Sequence, residues 1–247
     1  MRIIPLSEGS FTIDHTKEFV PFQKETDDLQ ERPRGSLLVE IQPFFIESGE
    51  ERILIDSGLG FCNEQNVMQI HQNLLHHDID PLSITRVLMS HLHKDHSGGL
   101  LKYDHWQQRY FPAFPQAIHY INEKELTLAL QPGNPSYHPQ KMQAIDKELN
   151  IKLLDDQGEV DGFIQYEVTS AHSPHHMVFS LHFDGAIIFF GGDDAPQIQQ
   201  MKSRFVAKYD FDGKKSMELR KLWWEKAQRE HWTLLFYHDI STPSVSF

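Results

Sequence analysis

The sequence predicts an α/β fold. Short apolar runs rich in Val, Ile, Leu and Phe recur along its 247 residues, as buried strands would. Between several of them lie segments whose apolar residues follow helical spacing. Histidine and aspartate stand directly after several of the strand-like runs, where a rigid element can aim side chains at one point. A chain of this length can form one undivided domain, and no linker, internal repeat or low-complexity tract divides it, so residues 1–247 are read as a single domain.

Residues 2–6 and 10–13 read as opening strands around a turn at Gly9. Residues 17–34 are polar, contain two prolines and read as a loop. Phe19, Val20 and Phe22 within it would pack locally, or cover part of a pocket or a neighbouring subunit in a homodimer. Residues 36–47 and 52–56 form a predicted hairpin about Ser48-Gly49-Glu50, and the second strand runs into Asp56-Ser57-Gly58-Leu59-Gly60. Asp56 either caps that turn or holds a neighbouring loop in place. Residues 67–76 are helix-like, with Val67, Ile70, Leu74 and Leu75 on one face and His71, His76 and His77 solvated. The strand at 86–89 follows. After Leu100 comes an aromatic, proline-interrupted loop containing Tyr103, Trp106, Tyr110, Phe111 and Phe114, a candidate pocket wall.

The strand at 117–121 gives way to a helix capped by Asn122, with Glu125 completing a capping-box pattern and Pro132-Gly133-Asn134-Pro135 ending it. Another short helix is expected over 140–149, then strands at 151–154, 163–169, 177–183 and 186–190. In the run 177–183, Val178, Ser180 and His182 alternate with apolar residues and are expected on a polar face. An amphipathic helix over 216–231, with Met217, Leu219, Leu222, Trp223 and Ala227, precedes the last strand, 233–237.

The stretch Ser90-His91-Leu92-His93-Lys94-Asp95-His96-Ser97-Gly98-Gly99 carries the densest chemistry. His91, His93, Asp95 and His96 offer imidazole and carboxylate ligands of the kind that zinc and other first-row divalent ions take. The net charge of −12 argues against a grip on nucleic acid, which needs clustered Lys and Arg. The lone cysteine, Cys62, excludes an intrachain disulfide and a Cys-rich metal site, fits a reducing compartment, and is read as a small buried hydrophobe. Met1 to Glu8 lacks the apolar core of a signal peptide, and no apolar run is long enough to span a bilayer. A cytoplasmic protein acting on a small molecule, without membrane or nucleic-acid partners, is expected.

Three further strand ends carry matching residues: His172 in Ser170-Ala171-His172-Ser173-Pro174-His175-His176, Asp193 in Gly191-Gly192-Asp193-Asp194, and His238 in Tyr237-His238-Asp239. In this order, from Asp56-Ser57-Gly58 through the histidine motif to the terminal His, the sequence resembles the metallo-β-lactamase superfamily. The resemblance implies a four-layer αβ/βα sandwich with a dinuclear site at one edge. It further implies that His91, His93 and His172 hold one metal, that Asp95, His96 and His238 hold the other, and that Asp193 bridges them. Asp56 would support the site from behind. The cofactors are then two divalent ions, zinc first, with manganese or iron as alternatives. A metal-bridging hydroxide would attack a small ester-like substrate, a lactone, thioester or phosphoester, with Asp95 as the catalytic proton acceptor.

The segment Tyr209-Asp210-Phe211-Asp212 with Arg220 is similar to the lactonase and organophosphate-hydrolase branch, where these charges would form an ion-pair network. That branch resembles Gly-Asp-Ala-Ser-Tyr where this chain has Gly192-Asp193-Asp194-Ala195-Pro196, so Asp194 would place an extra acid near the site and disfavour anionic substrates. His175 and His176 are open between substrate contact, support of the site and plain packing. Two rival functions are a mononuclear iron enzyme of the persulfide-dioxygenase kind and a metal-bound binding protein without turnover.

Overall fold

Successive residues of a strand point to opposite faces, so a sheet covered on both sides needs apolar residues at adjacent positions. The central runs of this chain supply them. The computed structural model describes residues 1–247. Its strands are β1 (Arg2–Pro5), β2 (Gly9–Ile13), β3 (Phe19–Pro21), β4 (Leu37–Ile41), β5 (Phe44–Ser48), β6 (Glu51–Ile55), β7 (Arg86–Leu88), β8 (Leu101–Asp104) and β9 (Arg109–Pro112). They continue as β10 (Ile118–Asn122), β11 (Ile151–Leu154), β12 (Gln157–Val160), β13 (Ile164–Val168), β14 (Met177–Phe183), β15 (Ala186–Phe190), β16 (Thr233–Leu235) and β17 (Ser244–Ser246). The α-helices are α1 (Gln69–His76), α2 (Lys94–Ser97), α3 (Glu123–Ala129), α4 (Pro139–Glu148), α5 (Ile198–Met201) and α6 (Gly213–Glu230).

Two six-stranded sheets dominate, ordered β1-β5-β6-β7-β10-β11 and β12-β13-β14-β15-β16-β17. Between them lies an apolar layer in which Phe44, Ile55 and Leu88 of the first sheet meet Phe179, Phe190 and Leu235 of the second. The alternate residues Phe45, Leu54 and Val87 turn outward onto Leu74 of α1, Leu126 of α3 and Ile145 of α4. Val178, Phe189 and Leu234 turn outward onto Trp223 and Ala227 of α6. The order is therefore helix, sheet, sheet, helix, the expected four-layer αβ/βα sandwich.

Strand direction fixes the functional edge. β6 and β7 are parallel, as are β15 and β16, so the loops after all four leave the sandwich at matched ends. The Met177 amide donates to the Ser90 carbonyl at 2.8 Å, tying the two sheets together at that edge.

Several local expectations change. Residues 17–34 include β3, which pairs with β2 at the edge of a three-stranded sheet ordered β3-β2-β4. The aromatic segment after Leu100 folds into the β8-β9 hairpin. β12 and β17 were hidden by their polar composition: each contributes one apolar residue to a sheet edge, Val160 and Val245. Val178 is buried, because α6 covers the face expected to be polar. Leu75 and Leu222 are instead more than half exposed, at 55% and 53%. Cys62 is exposed rather than buried. His71 is half-buried and donates from Nε2 to the Ala113 carbonyl at 3.0 Å. No helix is long and apolar enough to cross a membrane.

Candidate metal centre

Asp56 leaves β6 in the left-handed region, at φ 57°, which turns its carboxylate toward the neighbouring strand end. There it accepts the Ser90 amide at 2.8 Å, the Ser90 hydroxyl at 2.7 Å and His96 Nδ1–H at 2.8 Å, with nothing exposed to solvent. Asp56 thus does more than cap its turn: it shapes the histidine loop. Two glycines let that loop approach, since a Cβ on Gly99 would fall 1.9 Å from the Ser57 carbonyl oxygen and one on Gly98 2.1 Å from that of Leu59. Tyr237 then stacks on His96, with ring centroids 4.1 Å apart, and donates its hydroxyl to the Asp95 carbonyl at 2.7 Å.

The predicted residues converge. His91 Nε2 lies 3.0 Å from His93 Nδ1, and His172 Nε2 lies 3.4 Å from the same His93 atom. Asp193 points one oxygen at His172 Nε2, 3.2 Å away. Its other oxygen lies 3.2 Å from His96 Nε2 and 3.0 Å from His238 Nε2. Asp95 completes that second half, 3.5 Å from His96 Nε2 and 3.6 Å from His238 Nε2. Donor atoms of three triads, His91/His93/His172, His91/His96/Asp193 and Asp95/His96/His238, each lie within 4.8 Å of one another.

This donor set fits divalent metal. His96 Nε2 and Asp193 Oδ1 are buried yet have no hydrogen-bond partner in the chain, although buried polar atoms are normally satisfied. The far ring nitrogens are meanwhile fixed: His91 Nδ1 meets the Ser90 hydroxyl at 3.0 Å, His172 Nδ1 the Asp210 carboxylate at 2.9 Å and His238 Nδ1 the Glu40 carbonyl at 2.7 Å. Such partners leave the other nitrogen of each ring free to ligate. Burial, reinforced by neighbouring imidazoles, holds His91 and His93 well below the usual imidazole range, which keeps them neutral. Burial acts the same way on His96, His172 and His238, but Asp193 and nearby carboxylates outweigh it and push all three upward. The carboxylates therefore draw positive charge to this point, whether as protons or as a cation.

The Metallo-beta-lactamase superfamily model matches residues 41–214, most of the chain. The chain belongs to the metallo-β-lactamase superfamily. No curated protein matches its sequence. Among solved structures, it is similar to a probable metal-dependent hydrolase from Staphylococcus aureus, with a TM-score of 0.76 at 20% identity over 99% of this chain and 91% of that one. It is also similar to hydrolase AbOPH of the beta lactamase superfamily, with a TM-score of 0.72, 22% identity and coverage of 99% and 89%. A third is AidC, a dizinc quorum-quenching lactonase solved with a homoserine product, with a TM-score of 0.70, 17% identity and coverage of 98% and 88%. At these identities the likeness establishes the superfamily's fold.

Within that fold, the structure revises the supporting residues. Asp194 is fully buried: it accepts from Ser216 at 3.1 Å, takes a short hydrogen bond from Thr169 and sits 3.1 Å from His176 Nδ1. Burial alone would raise its pKa, but His176, with Thr169 and His172, brings it below the usual carboxylate range. It is enclosed by the chain and does not line the cavity. His176 Nε2 accepts the Asp193 amide at 3.1 Å, so the pair holds the bridging candidate in place. The expected ion-pair network does not form. Asp210 serves His172, Asp212 caps α6 by accepting the Lys215 amide, and Arg220 donates to the carbonyls of Asp194 and Phe205.

Glu125 went unrecognised. It makes no capping box but accepts the Leu92 amide at 2.8 Å and the Tyr137 hydroxyl at 3.0 Å, and Tyr137 packs edge-on against His93. The signal available was an acid on the apolar face of α3, beside buried Leu126 and Ala129.

The cluster opens into a cavity of about 870 Å³. Ile13, Phe19 and Leu37 of the three-stranded sheet form one wall, and Phe205, Tyr209 and Phe211 form another. The β8-β9 hairpin residues expected as a pocket wall do not reach it.

Proposed function

We propose that the protein is a dinuclear metal-dependent hydrolase acting on a small ester-like substrate, a lactone, thioester or phosphoester. The observation that carries this reading is Asp193, whose two oxygens divide between His172 on one side and His96 with His238 on the other. His91, His93 and His172 would hold one ion, Asp95, His96 and His238 the second, and Asp193 both. Zinc suits this imidazole-rich set, and manganese or iron would also be accepted.

Bound there, two divalent ions would lower the pKa of water toward neutrality and polarise the substrate's carbonyl or phosphoryl oxygen. The chain supplies the rest. Asp56, Asp210 and the Glu40 carbonyl fix the tautomers of His96, His172 and His238 by taking the proton on each Nδ1. Asp95, 8% exposed at the cavity floor, is the carboxylate placed to accept a proton during attack and return it to the leaving group. The apolar walls shield the reacting bond from bulk water and cover the acyl or alkoxy part of the substrate. A lactonase among the similar structures supports ester-like chemistry without fixing the substrate.

The test is hydrolysis of a panel of lactones, thioesters and phosphoesters by protein loaded with zinc, manganese or iron. The reading predicts turnover of at least one class that is abolished by His93→Ala with the fold retained by circular dichroism. No turnover above free metal with any loading would refute it. Oxygen uptake with a persulfide substrate would instead favour a mononuclear iron enzyme.

A further inference from the structure

The cavity wall carries an imbalance of charge. Each carboxylate on it is engaged by the chain: Asp95 and Asp193 face the imidazoles, Asp210 holds His172, and Asp14 accepts the Thr16 amide and hydroxyl at 2.8 and 2.6 Å. The two ammonium groups on the same wall, Lys17 and Lys94, are engaged by none. No ion pair or side-chain hydrogen bond uses either, and they are the two lysines that line the cavity. Glu18, next to Lys17, is exposed; it and Asp95 attract Lys94 through space without forming an ion pair with it.

Both lysines are half-buried, and the backbone of each is fixed by a hydrogen bond. Lys17 sits in the left-handed region at φ 61°, at the end of a turn in which its amide donates to the Asp14 carbonyl at 3.1 Å. Lys94 lies at the start of α2 between His93 and Asp95, with its amide on the Ser136 carbonyl at 2.9 Å. The turn and the helix thus bring two positive charges to the same side of the cavity. The lining holds four carboxylates and two ammonium groups, and of these six only the ammonium groups have no hydrogen-bond or ion-pair partner in the chain. Leu37, Phe205 and Phe211 give the same cavity apolar surface.

The geometry points to a substrate with an anionic group, carboxylate or phosphate, carried on an apolar body away from the bond that is cut, and recognised by Lys17 and Lys94. This rests on the hydrolytic reading for the reaction, but the lysines' role in binding is separable from it. An ammonium in a partly dry pocket attracts an anion more strongly than at an open surface, and the preference shows in binding rather than in chemistry.

The test compares aryl esters of nonanoic acid, of nonanedioic acid with its far carboxylate free, and of ω-phosphonooxynonanoic acid. The anionic esters should be preferred over the neutral one by about tenfold in kcat/KM, through KM, and the ratio should shrink with added salt. In the double variant Lys17→Met/Lys94→Met the ratio should approach one, and Lys17→Arg/Lys94→Arg should retain it. Preference for only one of the two anions identifies which group the lysines read. A ratio of one in the unaltered enzyme, or a preference that survives the methionine variant, overturns the proposal while leaving hydrolysis intact. If no ester is turned over, calorimetry on the metal-free protein decides. Nonanoate or nonyl phosphate should bind more tightly than nonanol, and the methionine variant should lose that difference. Equal binding of anion and alcohol overturns it.

Discussion

Behind the imidazoles, Asp56, Asp210 and the Glu40 carbonyl each take a ring nitrogen at 2.8, 2.9 and 2.7 Å. In front of them, Ile13, Leu37, Phe205 and Phe211 wall the cavity with side chains that make no directional contact. The two regions differ in what a substitution there must undo. At the back, removing one partner strands a buried polar atom, which costs far more than the bond is worth on balance. At the front, a changed side chain alters shape and polarity while the ligands keep their places. Reaction type is therefore encoded in the strand ends and their buried partners, and substrate choice in the walls.

The largest effect should come from Asp56→Ala. It leaves the Ser90 amide, the Ser90 hydroxyl and His96 Nδ1 without an acceptor at once, and we expect a loss on the order of 3 kcal/mol or more in denaturant unfolding. Bound metal should fall with it. Asp56→Asn separates charge from shape, because Asn tolerates the same left-handed backbone, and should retain the fold.

Gly99→Ala attacks the same back wall through space. Its Cβ would meet the Ser57 carbonyl oxygen, so the loops must part, at about 1–3 kcal/mol by thermal unfolding. Asp210→Asn should spare folding but lower metal affinity about 10- to 100-fold, read by competition with a chelator. If affinity does not change, the partners behind the rings are not what orients them.

A fourth outcome concerns pH and lies outside both regions. Burial lowers His119 to about 4 from an ordinary imidazole value near 6.5. Between those values the unfolded chain binds the proton and the folded chain does not, so this histidine's contribution is intact above pH ~6.5 and is lost as pH falls toward ~4. The loss is on the order of 3 kcal/mol, and His119→Phe should flatten that part of a stability-against-pH curve. The smallest effect belongs to the front wall. Leu37, 39% exposed, lines the cavity, and Leu37→Ala should move KM by a few-fold while stability stays within about 0.5 kcal/mol.

The same division explains what could be read from the sequence. His91, His93, Asp95 and His96 are local, and their spacing announces them. His172, Asp193 and His238 follow apolar runs, and it was the resemblance of their order to the superfamily's that brought them together with the histidine motif. Glu125, Tyr137 and Asp210 are joined to the site by side chains that cross from separate helices and loops, and nothing in their own surroundings names the partner. Asp194 shows the cost of reading position without contact. Its place beside Asp193 suggests an acid facing substrate, yet Thr169, His176 and Ser216 enclose it completely. The α/β class was legible because apolar residues fill adjacent strand positions, and the four-layer arrangement followed only from the resemblance to the superfamily. The short edge strands were not, since one apolar residue each carries no period.

The most direct test of the central claim is metal stoichiometry. Protein purified without chelator and assayed by mass spectrometry of the intact, native chain should hold about two divalent ions, with Asp193→Asn reducing that number while the fold persists. A single ion in the unaltered chain, unchanged by Asp193→Asn, would contradict a centre built around a shared carboxylate.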